Sequence, residues 1–125
     1  MAAAKLVDVT LVKAWNPGEP ETEAVQRIVF AMALDHAGYP DTAAWLDDLA
    51  AWPARREGLD GAAQDGDVAH DDDGWSLRFF DGPAASADEP LHRIRAGSNW
   101  LRPGEVITLR DPAGDEAAWR VVGIG

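Results

Sequence analysis

ETEAVQRIVFAMALDHA, residues 21–37, is the stretch on which the fold class turns. Val25, Ile28, Val29, Met32 and His36 recur at three- and four-residue spacing, the period of one helical face. Glu19, Glu21 and Glu23 stand near the start, where the helix dipole favours negative charge. Phe30 and Leu34 lie on roughly the opposite side, so the predicted helix is apolar nearly all round and has to be packed from more than one direction. Gly38 supplies the stop, and Pro40 prevents continuation.

Downstream, Asp41 is placed to cap a second helix by accepting from free amides of its first turn. Trp45, Leu49 and Trp52 then share a stripe at i, i+4, i+7 with Leu46 beside them, until Pro53 ends it. An aromatic stripe at this spacing is core rather than a ligand box, because Trp contributes a large buried area whatever else it does. Upstream, KLVDVTLVKAW (5–15) alternates as a strand, with Leu6, Asp8, Thr10 and Val12 on one face and Val7, Val9 and Leu11 on the other. Asn16, Pro17, Gly18 and Pro20 break it.

Residues 54–74, ARREGLDGAAQDGDVAHDDDG, hold only Leu59 and Val68 as larger apolar groups. They read as an acidic Gly/Ala/Asp-rich loop or linker, a length that in a compact domain goes with mobility or function. Beyond it the pattern changes to short strands at 75–80, 91–96, 105–110 and 118–124, bounded by Gly, Pro or Asp. The expected fold is therefore α+β in a single domain spanning 1–125. It comprises an N-terminal strand, two helices, and a four-strand antiparallel meander or small partly open barrel that could take the first strand as a fifth member.

Charge and composition narrow the function classes. A net charge of -11 disfavours nucleic acid and anionic membranes, both of which draw affinity from Lys and Arg on phosphate. With no cysteine there is no disulfide, thiolate metal site or cysteine nucleophile. No run approaches the length of a membrane span and the N-terminus lacks a signal-peptide core, so a cytoplasmic location is expected. The acidity serves solubility and would also steer a basic protein partner toward the surface.

QDGDVAHDDDGW (64–75) raises the question of a metal loop. A helix-loop-helix calcium site needs oxygen donors at positions 1, 3 and 5, glycine at 6 and glutamate at 12. With Gly74 sixth, Ala69 stands first and Phe80 twelfth; with Gly66 sixth, Gly61 stands first. Neither register works. His36, His70 and His92 show no metal-ligand spacing, and Ser76, Ser86 and Ser98 lack a nucleophile elbow. No catalytic, cofactor or metal residue is assigned. The weak partner-binding candidates are Asp71, Asp72 and Asp73 in the acidic run, and Trp100 with Arg102 in GSNWLRPGE, residue types enriched in binding hot spots. The expected function is a non-catalytic protein-binding or assembly module, adaptor or inhibitor-like. The alternatives are a small enzyme using His92 or His36 with an aspartate between the helical pair and the sheet, and a structural subunit of a larger assembly.

Overall fold

The structure, a computed structural model, describes residues 6–14, 25–48, 51–58, 63–72, 74–80, 91–95 and 101–125. Eight strands follow one another around a closed antiparallel barrel: β1 Leu6–Lys13, β2 Val25–Ala33, β3 Pro53–Gly58, β4 Ala63–Asp71, β5 Gly74–Phe79, β6 Leu91–Arg95, β7 Val106–Arg110 and β8 Glu116–Ile124. Each strand pairs with the next in sequence, and β8 returns to β1. Among the described residues a single short helix, α1 Thr42–Asp47, lies between β2 and β3. Among the described residues the fold is thus nearly all β, which overturns the α+β expectation and its two long helices.

The larger correction is at 21–37. Its described core is β2, which pairs with β1 from Leu6↔Ala33 to Val12↔Arg27. Ile28, Phe30 and Met32 alternate into the barrel and are buried. An apolar run with few polar interruptions satisfies a period of 3.6 and a period of 2 equally, so periodicity alone does not separate helix from strand. What decides is the partner: β1 is apolar on both faces, and β-branched Ile28 and Val29 suit the strand that closes against it. The intended stop is instead a turn built on Asp35, whose Oδ1 accepts from the amides of Ala37 and Tyr39.

The expected linker at 54–74 is largely β3 and β4. Its small residues are the reason it can be. Cross-strand register sets Phe30 opposite Ala54, Ala54 opposite Gly66 and Gly66 opposite Phe79, a row of large, small, small and large side chains around the wall. Two phenylalanine rings fill the interior that Ala54 and Gly66 leave vacant, the taper-filling alternation of a small barrel. At Gly66 the fit is absolute: a Cβ there would sit 1.8 Å from the carbonyl oxygen of Arg78. On the outer face of the same strand pair, Asp67 receives both arms of the Arg78 guanidinium, Nε at 2.8 Å and Nη2 at 2.7 Å.

The second expected helix is real but short. Asp41 caps it as its type predicts, accepting from Ala44 N, yet the helix stops at Asp47 and leaves Trp52 outside it, directly ahead of β3. Trp52 is buried and stacks on Trp75 at 5.9 Å with 11° between planes, while its indole NH donates to Asp48. Trp45 meets Trp75 edge-on, and His70 lies against both. This cluster covers the barrel end where β2 finishes and β3 begins, here called the helical end. Leu49, the middle member of the expected stripe, lies outside the described residues.

Candidate functional site

At the opposite end, where β1, β3, β5 and β7 finish, the inward-facing positions change character. The inward row of β1 runs Val9, Leu11, Lys13; that of β3 runs Ala54, Arg56; and β7 continues from Leu109 to Asp111. Each of these three rows ends on a polar group. Lys13, Arg56, Leu109 and Asp111, together with Ile28, Phe79, His92, Asp115, Glu116, Ala117 and Trp119, line a cavity of about 350 Å³. Its floor is apolar, with Ile28, Phe79, Leu109 and Trp119 all buried.

The polar groups form a sequence of contacts. Arg56 lies over the Phe79 ring, its Cζ 4.4 Å from the centroid, and donates through Nε to Gln64 Oε1 at 2.7 Å. Gln64 in turn donates to the carbonyl of Phe80 at 2.7 Å, so both ends of its amide are engaged. His92 stands opposite Leu77 in the ladder and meets Phe79 edge-on at 5.3 Å. Its Nδ1 is buried and has no hydrogen-bond partner. Burial, together with the Arg56 charge, lowers the His92 pKa, with Asp111 pulling partly the other way. The imidazole is therefore neutral near pH 7.

The turn between β7 and β8 carries the acidic side of the site. Asp111 Oδ1 accepts from Asp115 N at 2.9 Å, closing the turn, while Asp115 and Glu116 stand exposed at its edge. The carboxylates thus sit at the rim and the nitrogen-bearing side chains on the strand wall.

The residues singled out from sequence do not gather here. Asp71 ends β4 at the helical end, paired with Arg93 at 2.6 Å, and Asp72 is exposed in the following turn. Gly74, at φ 111°, takes the left-handed conformation that brings the chain back. Arg102 is exposed and 4.0 Å from Glu105. Asp73 and Trp100 lie outside the described residues. Asp67 and Asp71 share the outer face of β4 but are held by different arginines, Asp67 by Arg78 and Asp71 by Arg93. Among the described residues no three His, Asp or Glu side chains converge as metal ligands. The histidines separate too: His36 is exposed, His70 is in the tryptophan cluster, and His92 is at the pocket.

Sequence reasoning missed Lys13, Arg56, Gln64 and Asp111. The signal was present in the alternation of β1, where Val7, Val9 and Leu11 are followed at the next inward position by Lys13. For Arg56 and Gln64 it was hidden inside the supposed linker. Comparison with family models, with curated proteins and with solved structures finds no match, so the geometry alone carries the functional argument. No described helix is long and apolar enough to cross a membrane.

Proposed function

We propose that the protein reversibly binds a small amphipathic molecule in the pocket end of the barrel. The observation that carries this reading is the buried, unpartnered Nδ1 of His92 inside a cavity with an apolar floor. A buried polar atom without a partner costs about 1–3 kcal/mol, an expense a ligand hydrogen bond would remove. The volume is at the lower end of the roughly 300–1,000 Å³ range of small-molecule sites, which combine apolar lining with a few placed polar groups. Eight strands also make a barrel just wide enough to be filled by side chains or to hold one small ligand. Here, among the described residues, the helical end packs tryptophan against tryptophan and a cavity opens at the pocket end.

The test uses the tryptophans. Trp119 lines the cavity, whereas Trp45, Trp52 and Trp75 pack at the other end. Titration with small aromatic compounds, followed by indole N–H resonances, is expected to move Trp119 saturably and leave the other three in place. Shifts confined to the helical end would refute the reading.

An acid-base enzyme is the second reading, favoured by a neutral His92 in electrostatic reach of Asp111. It moves the imagined site from between helices and sheet to the barrel interior, and turnover of a bound ligand, abolished in His92→Gln, would establish it. The acidic docking module for a basic protein rests on net charge, while Asp71, its central candidate, is already paired with Arg93.

A further inference from the structure

The chemistry of the pocket is graded from wall to rim. On the strand wall stand Lys13 from β1, Arg56 from β3 and His92 from β6, all nitrogen donors or potential donors, around the rings of Phe79 and Trp119. Behind the wall, the Gln64 amide engages its oxygen with Arg56 and its nitrogen with the Phe80 carbonyl. At the rim stand Asp111 and Asp115 from the β7–β8 turn and Glu116 at the start of β8, with one oxygen of Asp111 committed to the Asp115 amide. A ligand whose acceptor group reaches the wall meets donors, and one whose charged group stops at the rim meets carboxylates.

We infer that the ligand is a small planar carboxylate whose ring lies on the Phe79 and Trp119 floor and whose carboxylate oxygen takes a hydrogen bond from His92 Nδ1. The inference rests on the pocket-end reading and names its ligand class. A cation would be served at the rim, but on the wall it would bring positive charge toward Arg56 and Lys13. A neutral planar molecule would fill the floor without meeting the positive charge of the wall. The carboxylate is the group that uses floor, wall and His92 together, and the rim acids favour its seating deep rather than at the edge.

A proton accompanies it. His92 shares the cavity with Arg56 from β3, Lys13 from β1, the Phe79 ring from β5, Asp111 and Asp115 from the β7–β8 turn and Glu116 from β8. An anion placed on Nδ1 adds a negative charge against the imidazole, so the bound state holds the imidazolium more readily than the free state. Binding then takes up a proton, and affinity rises as pH falls.

The experiment titrates the whole chain with three probes of one ring size: naphthalene carboxylate, naphthalene carboxamide and naphthylmethylammonium. Trp119 indole shifts give location and affinity. The expected result is that the carboxylate binds about tenfold or more tighter than the amide near pH 6, and weakens by up to about tenfold per pH unit toward pH 8, the limit for one linked proton. His92→Gln is expected to fold, by its melt, and to lose both the carboxylate preference over the amide and the pH dependence. Equal or tighter binding of the amide or the ammonium overturns the carboxylate assignment while leaving the pocket standing, as does carboxylate binding that ignores pH. If none of the three moves Trp119, the pocket reading itself falls.

Discussion

At the helical end, Trp45, Trp52 and Trp75 pack ring against ring, His70 lies in the same cluster, and the Trp52 indole donates to Asp48. At the pocket end, Phe79, His92 and Trp119 surround a cavity, and a ring nitrogen is left buried without a partner. The two ends draw on similar residue types, aromatic rings with a histidine among them, on the same eight strands. One end buries its rings against each other and gains stability. The other sets His92 edge-on against Phe79 beside an open cavity and leaves the buried Nδ1 without a partner, which costs stability.

The sharpest way to break this contrast is Trp52→Ala. Trp52 is almost wholly buried and has Trp75 stacked on it, so truncation is expected to cost about 3–5 kcal/mol in chemical denaturation. Pocket-end ligand binding, where the fold survives, should be unchanged. A loss below about 1 kcal/mol would show that the helical end is not the stabilising one.

Gly66→Ala tests the wall that joins the ends. The added methyl would meet the Arg78 carbonyl, a backbone atom held by the β4–β5 ladder and by the Asp67–Arg78 pair, so β4 and β5 must separate. A cost of about 3 kcal/mol is expected from overpacking that cannot relax through a rotamer. A variant as stable as the parent would mean that the strand pair has slack, and the fit of Phe30 and Phe79 around Ala54 and Gly66 would lose its force.

That row also shows why the barrel was only half legible in the sequence. The strands at 75–80, 91–96, 105–110 and 118–124 could be read because each carries its own alternation and its own turn residues. β3 and β4 could not, because Ala54 and Gly66 are core residues only by virtue of Phe30 and Phe79 on neighbouring strands, and that complement is invisible within one segment. In β2 the failure ran the other way: the run from Ile28 to Ala33 is so apolar that every period fits it. The site followed the fold. His92 was weighed as a general acid-base candidate, but Arg56 could not be placed beside it while 54–74 was taken for a linker.

His92→Phe sharpens the comparison from the pocket side. Removing a buried, unpartnered nitrogen and keeping a ring of similar shape is expected to leave stability unchanged or raise it by up to about 1 kcal/mol. The pH dependence has a definite sign. Because the folded-state pKa lies below the ordinary 6.5, the unfolded chain binds the proton more readily, and stability falls as pH drops through the window beneath 6.5. The slope in that window should flatten in His92→Phe, measured by denaturation at several pH values. A destabilised variant with the slope intact would show Nδ1 to be satisfied, and the asymmetry between the ends would disappear.

The smallest effect belongs to Asp71, at the surface of the helical end. Its contact with Arg93 is short, but the side chains are 43% and 29% exposed, and an ion pair so placed is screened by water and costs side-chain entropy to hold. Asp71→Asn is therefore expected to cost about 0.2–1 kcal/mol. Ion pairing gives the reason to expect no metal chemistry behind it: Asp67 is held by Arg78 and Asp71 by Arg93, and a cation would have to displace an arginine to gain either carboxylate. Calcium at low millimolar concentration should raise the melting temperature no more than sodium chloride of equal ionic strength. A saturable, calcium-specific rise that vanished in Asp71→Asn would make the acidic turn a second site, and would place function at both ends of the barrel instead of one.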